Sequence, residues 1–285
     1  MRNKNKYLIC VRHNLLDLEV SILTNCKLIL EKIERIFKGF ELRVDIVSEE
    51  KPKYCISVIR ENDYYLIKSD EDKSFETKNE SVAIGHVVRN VFEKIEYDSR
   101  EYVLLHSSGF EYEGKGICFI GRTKAGKSSV ITALTKANSK VHYMTDDVLG
   151  INKNGMACSY PKPIFLRNLV HLSFLNLDKS IGEDYFQFKD DKRYYFVPTG
   201  YRDTNSQVPL EKIVLLRREE GVEFSAKQLS KQESFVSIWK NMLNSDNIER
   251  KRAVALELAK RCKIFLVIYS NIEEQMPLFL NLLEI

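Results

Sequence analysis

Gly121, Gly126, Lys127 and Ser128 stand in "GRTKAGKS" with the spacing G-x-x-x-x-G-K-S, between the apolar runs "ICFI" and "VITAL". Glycines at those two places let the backbone turn tightly after a strand. Successive amide N–H groups then converge at the positive end of the next helix, a place that suits a phosphate. Lys127 would reach the terminal phosphates, and the Ser128 hydroxyl would face a Mg²⁺ that bridges them. The residue types therefore point to a nucleoside triphosphate. The bland alternative is a glycine-bearing strand-to-helix turn that binds nothing, and the agreement of both flanks weighs against it.

Asp146 and Asp147 follow the apolar run "VHYM", the next strand after the loop's helix. Acids at that strand end fall beside a bound Mg²⁺ and the terminal phosphate, where a metal-holding group belongs. A pair does more than one acid. One carboxylate can hold the metal while the other accepts a proton from an incoming hydroxyl. Which acid takes which role is open at this level, and a turn-forming Asp-Asp is the simpler alternative.

The same loop also opens GTPases. Asp147 to Gly150 spells D-x-x-G, and "NKNG" from Asn152 imitates the guanine-reading N-K-x-D. In GTPases these stretches ride on separate strands and lie far apart. Here Ile151 alone separates them, and Gly155 stands where the base-reading acid should be. Guanine specificity has no support in this spacing.

The elements that must position these residues are legible in outline. The chain has 285 residues, 44% hydrophobic and 29% charged, with a net charge of +4. That length exceeds the usual ~100 to 200 residues per domain, so two domains are expected. Basic residues are interleaved with acids, as in "NIERKRAVALELAKR", which argues against a nucleic-acid-binding face. The six cysteines are scattered and include no C-x-x-C pair, so they are expected to be reduced and mostly buried. No apolar run approaches the roughly 18 residues of a membrane span, and the start does not resemble a signal peptide. A cytoplasmic protein is expected.

"YLICVR", "LRVDIV", "YCISVIR" and "DYYLIKS" read as strands and "CKLILEKIERIFKGF" as an amphipathic helix, together a small α+β domain over 1–78. The polar "SDEDKSFETKNES" is a linker or a long hairpin loop. A second domain over 79–285 opens on a helix with the apolar face Val82, Ile84, Val87, Val88, Val91, Phe92 and Ile95. Next come the strand pair "EYVLLHSSGF" and "GKGICFIG", the loop and its helix, and the strand "KVHYMTDD". A hairpin turns at Asn154-Gly155, and "YFQFK" with "RYYFVP" forms a further strand pair. "KIVLLRR" is a strand and "SAKQLSKQESFVSIWKNML" a helix. A helix, a strand and a last helix finish the chain. The class is α/β with extra antiparallel strands.

The stretch from "LLHSSGFEYEGKG" through the loop to "TDDVLGINKNG" resembles the catalytic core of the HPr kinase/phosphorylase-like proteins. "SYPKPIFLR" resembles the smaller HPr-kinase-related proteins found beside peptide-tailoring enzymes, lasso-peptide kinases among them. The resemblance implies the P-loop fold shared with phosphoenolpyruvate carboxykinase, behind a small N-terminal α+β domain. It makes Gly121, Arg122, Thr123, Lys124, Ala125, Gly126, Lys127, Ser128 and Ser129 the ATP-binding loop. Ser128, Asp146 and Asp147 become the Mg²⁺ set. Asp146, Asp147, Lys127 and His106 become the catalytic group. Arg167, Arg193 and Arg202 are candidates to neutralise the transferring phosphoryl group, Arg167 first.

The implied activity is ATP-dependent phosphorylation of a hydroxyl, with a serine of a peptide or small protein as the expected acceptor. A small-molecule acceptor and a nucleotide-dependent ATPase or GTPase switch are the alternatives. Neither nucleic acid nor a membrane is an expected partner, and a homo-oligomer is open. The stretch that bifunctional HPr kinase/phosphorylases use for dephosphorylation has no counterpart in the sequence, so HPr and a reverse reaction are not expected.

Overall fold

The computed structural model describes residues 6–13, 18–46, 54–69, 74–98, 102–166, 185–188, 191–196, 206–243 and 247–285. The chain divides into two compact units. The first holds Met1–Arg100, Phe165–Leu172 and Leu177–Val197, and the second holds Glu101–Ile164, Ser173–Asn176 and Pro198–Ile285.

In the first unit, β1 (Tyr7–His13) and β2 (Leu18–Thr24) lead into α1 (Lys27–Ile36) and β3 (Glu41–Ile46). β4 (Cys55–Glu61), β5 (Tyr64–Lys68), β6 (Ser74–Thr77) and α2 (Glu80–Asp98) complete it in order. The six strands form one sheet in the order β3-β1-β2-β4-β5-β6. β2 and β4 run parallel because α1 and β3 intervene, whereas β4, β5 and β6 are joined as antiparallel hairpins. α1 buries Ile29, Leu30, Ile33 and Ile36, one face at helical spacing. Phe37 packs on Phe92 of α2 with ring centroids 5.1 Å apart.

Two strands of this sheet were not expected from the sequence. β2 reads "LEVSILT", with an alternation too short to separate from its neighbours. β6 lies inside the polar stretch and pairs Tyr65 with Thr77 and Lys68 with Ser74, an antiparallel edge strand on which Ser74 and Glu76 are exposed. The first unit also extends past the 1–78 boundary, because α2 buries Ala83, Ile84, Val87, Val88, Val91, Phe92 and Ile95. Val82 is only partly buried and Ala83 takes its place in the face. Gly85 sits within the continuous helix.

The second unit begins with β7 (Val103–Leu105), β8 (Ser107–Tyr112) and β9 (Lys115–Ile120), and β9 leads through the glycine loop into α3 (Lys127–Ala137). β10 (His142–Thr145), β11 (Leu149–Ile151) and β12 (Met156–Cys158) follow, and within β13 (Ile164–Leu166) the chain passes to the first unit, which holds Phe165 and Leu166. β14 (Tyr185–Phe188) and β15 (Asp191–Phe196) are the antiparallel pair read from the aromatic run, and they belong to the first unit. The second unit resumes with β16 (Gln207–Arg218), β17 (Ser225–Gln228), α4 (Lys231–Asn241), α5 (Ile248–Arg261), β18 (Lys263–Tyr269) and α6 (Ile272–Leu283).

The large sheet runs β10-β8-β9-β16-β12-β11-β7, with β18 on β16 and β17 on β18. β9, β16 and β18 are parallel, with Cys118, Ile213 and Ile264 in one register row. β8 and β9 form a hairpin closed by Glu113 and Gly114, both at positive φ (50° and 79°), as a two-residue turn matched to strand twist requires. "SAKQLSKQESFVSIWKNML" divides into a strand and a helix. Ser225–Gln228 pairs with β18. Ser230 and Glu233 form a capping box that starts α4 at Lys231.

All six cysteines are free thiols and all but Cys55 are buried, as their apolar settings suggested. Among the described residues, no helix is long and apolar enough to cross a membrane.

Candidate active site

The loop 121–126 leaves the C-terminal end of β9, one of the three parallel strands, where open α/β sheets present ligands. Gly121 has φ +146°, and a Cβ there would lie 2.7 Å from the carbonyl oxygen of Leu216 on neighbouring β16. Gly126 has φ +91°, and a Cβ there would run into the Tyr269 hydroxyl at the end of β18. That hydroxyl donates to the Ala125 carbonyl at 2.7 Å, and the Asn241 side-chain oxygen accepts from the Gly121 N–H at 3.3 Å. Residues far along the chain therefore shape the loop from outside.

α3 begins at Gly126 in a left-handed conformation, with no side-chain cap and no acid in its first turn. α4, by contrast, closes its N-terminus with the Ser230–Glu233 box. No side chain caps the first turn of α3, and the helix dipole favours an anion there. Arg122, Thr123 and Lys124 form the exposed crest of the loop, Ala125 is buried beneath it, and Ser129 is half-buried.

Lys127 is 8% exposed. Its ammonium donates to the Gly121 carbonyl at 2.9 Å and lies 3.1 Å from His106 Nε2. Burial lowers its pKa, and the carboxylates of Asp146 and Asp147 oppose that shift. His106 sits between β7 and β8, where "EYVLLHSSGF" splits into two strands that pair with different partners. Its Nδ1 lies 2.9 Å from the Asp147 carbonyl oxygen and 3.2 Å from Asp147 Oδ1. Both neighbours only accept, so the partners assign the proton to Nδ1 and leave Nε2 to accept from Lys127.

The two acids have different surroundings. Asp146 is 3% exposed. It accepts from Ser108 Oγ, and from Ser128 Oγ at 2.9 Å and 3.0 Å through its two oxygens. Burial raises its pKa and the neighbouring Asp147 charge adds to the rise, while the two serine hydroxyls oppose it. Asp147 has φ +75°, a left-handed conformation that aspartate tolerates better than most residues. Its side chain is 49% exposed and ion-paired with Lys162 at 3.4 Å. Burial of the carboxylate acts upward, but the His106 hydrogen bond and the Lys162 charge outweigh it and hold the group well below the ordinary carboxylate range.

The Ser128 hydroxyl and the Asp146 carboxylate are hard oxygen donors at the foot of α3, the type of ligand Mg²⁺ accepts. Among the described residues no cluster of three or more His, Cys, Asp or Glu could hold a metal ion.

Four contributors escaped the sequence reading: Ser108, Lys162, Asn241 and Tyr269. Ser108, Lys162 and Asn241 lay within quoted runs, but nothing in those runs marks any of them. Asn152, the start of the guanine-like "NKNG", acts locally, because its side-chain oxygen accepts from the N–H of Asn154 and of Met156 and so holds the β11–β12 turn. Arg167 and Arg202 lie outside the described residues, and Arg193 lies on β15 in the first unit.

The fold and site thus define a class: a mixed α/β chain in which a strand, a glycine loop and an uncapped helix N-terminus face a lysine, a histidine and two unlike carboxylates. No protein-family model and no curated protein matches the chain. Among solved structures it is similar to the HPr(Ser) kinase/phosphatase from Coxiella burnetii at 10% identity and a TM-score of 0.29, over 64% of this chain and 98% of that chain.

Proposed function

We propose that the chain is an ATP-dependent kinase that transfers a phosphoryl group to a hydroxyl, with a serine of a peptide or small protein as acceptor. The observation that carries the reading is the division of labour between adjacent acids. Asp146 is buried against Ser128 at the helix foot, and Asp147 is half-exposed and tied to His106.

In this reading the α3 N–H groups and Lys127 hold the terminal phosphates. Ser128 and Asp146 would hold a Mg²⁺, which would supply neutralising charge beside those phosphates. Phosphoryl transfer demands little covalent help from a protein, so positioning and charge do most of the work. Asp147 receives the acceptor's hydrogen bond. Its depressed pKa makes it a weak ground-state base, so it orients the hydroxyl first and takes the proton as the new P–O bond forms. His106 holds Asp147 in place and lies between it and Lys127.

The test has two stages. Mg·ATP should raise the melting temperature of the protein at physiological concentrations, and γ-labelled ATP should pass its label to serine in a peptide library. A protein whose melting temperature ignores Mg·ATP well above those concentrations overturns the kinase reading. Label transfer to free serine or a sugar alcohol, with none to peptides, overturns the peptide acceptor and leaves the kinase standing.

A further inference from the structure

The kinase reading leaves the buried Lys162, which lies at the site, without a role. Lys162 is 7% exposed, yet its ammonium lies at the site, 3.4 Å from Asp147 Oδ2. Burying a lysine is unfavourable unless the charge is used, and a flexible stem adds the entropy of fixing it. The sequence fixes it nonetheless. Pro161 and Pro163 flank it, and both are buried. Its N–H donates to the Tyr160 carbonyl at 2.6 Å, and its own carbonyl accepts from the buried Tyr143 hydroxyl. The backbone of this lysine is clamped on both sides, which reduces the freedom its side chain can draw on.

The two oxygens of Asp147 are divided between partners. Oδ1 faces His106 Nδ1 at 3.2 Å, and Oδ2 faces Lys162 Nζ at 3.4 Å. The second separation is long for a charged hydrogen bond, whose usual length is about 2.7–2.9 Å. Asp147 is also the more open acid, at 49% side-chain exposure. A hydroxyl arriving from solvent can therefore donate to Oδ2 while its oxygen accepts from Lys162.

The geometry points to Lys162 as a catalytic cation that seats the acceptor hydroxyl together with Asp147. The inference rests on the kinase reading above. In the step it describes, the acceptor oxygen forms a bond to the γ-phosphorus and the bond from that phosphorus to the β–γ bridging oxygen breaks. The electron pair of the broken bond leaves with ADP. The acceptor proton passes to Asp147 and then to solvent. Lys162 donates a hydrogen bond to the acceptor oxygen as it loses that proton, an interaction stronger in the transition state than before it. Lys127 serves the donor side of the same transfer, so Lys127 and Lys162 divide the reaction between donor and acceptor.

A hydroxyl seat also accepts water, so the probe is Mg·ATP with water as acceptor, followed as labelled ADP at stoichiometric enzyme. Lys162→Met keeps most of the unbranched side chain and removes the charge. Its expected rate at saturating Mg·ATP is lower by about 10²-fold, with the Kd of Mg·ATP within about twofold of wild type. Lys162→Arg, which keeps a donor, is expected to recover part of the rate. Melting temperatures of both variants establish that they are folded, and if the methionine variant is not, the arginine and wild-type comparison decides by the same rate-against-Kd split.

Equal rates in wild type and the folded variant overturn the role of Lys162 while the kinase reading stands. The same holds if the variant weakens Mg·ATP binding and leaves the rate unchanged, since that is a donor-side effect. A wild type that binds Mg·ATP yet transfers nothing to water overturns the seat. A wild type that fails to bind Mg·ATP overturns the kinase reading and this inference together.

Discussion

Ser128 Oγ stands 2.9 Å and 3.0 Å from the two carboxylate oxygens of Asp146, so one hydroxyl at the foot of α3 addresses both oxygens of a buried acid. Ser108 donates to the same carboxylate from β8. The acid is thus tied to the first turn of α3, directly after the glycine loop. Asp146→Asn should therefore abolish the part of the ATP-induced rise in melting temperature that depends on Mg²⁺. The rise produced by ATP in a chelator should change little. Equal loss in both conditions would show that Asp146 shapes the loop rather than holding the metal.

Lys127 is buried and its charge is opposed by desolvation. Lys127→Met should leave the melting temperature of the ligand-free protein unchanged or higher, because an apolar group replaces a buried charge. Affinity for Mg·ATP should fall by roughly 10- to 100-fold, the loss of one charge-assisted hydrogen bond of ~1.5–3 kcal/mol. Isothermal titration alongside thermal melts checks both halves.

Gly126 and Tyr269 fit only as a pair, since a Cβ at residue 126 meets the tyrosine hydroxyl and the glycine has φ +91°. Gly126→Ala should cost about 1–3 kcal/mol of stability. In a double-mutant cycle, Tyr269→Phe should return part of that cost by vacating the hydroxyl's place, although it gives up the 2.7 Å bond to Ala125. Strict additivity in urea denaturation would mean that backbone strain at residue 126, rather than the clash, dominates.

The two adjacent acids should act on stability with opposite signs. Asp146 has a raised pKa in the folded protein. It contributes nothing below the ordinary carboxyl value, where both states are protonated, and a destabilisation that grows as pH rises from that value through the raised one. Asp147 has a lowered pKa. Its stabilisation is complete above the ordinary value, about 3.9, and is lost as pH falls from there toward the lowered one. In metal-free buffer, Asp146→Asn should be more stable than wild type at neutral pH and Asp147→Asn less stable. Both differences should shrink on acidification, which melts recorded across pH will measure.

Local chemistry explains what was legible early. "ICFIGRTKAGKSSVITAL" carries its strand, its turn and its helix in consecutive residues, so the fold of that segment follows from neighbours in the chain. The same holds for the β8–β9 hairpin at Glu113-Gly114 and for the α2 face. Failures came where pairing partners are remote or alternation is short. β2 is recognisable only beside β1 and β4. β17 looked helical because its residues run without a break into a helix whose true start is the Ser230 cap.

The sequence by itself determined a strand, a glycine loop and a helix, followed by two acids at the end of the next strand. It could not tell those acids apart, because identical side chains at consecutive positions differ only in surroundings. Tertiary structure decided that difference by turning Asp146 inward to Ser108 and Ser128 and Asp147 outward to His106 and Lys162. It also brought Asn241 and Tyr269 from distant helix and strand ends to brace the loop. Burial and partner distance set the charge and direction of each group, and both are properties of the packed chain rather than of its order.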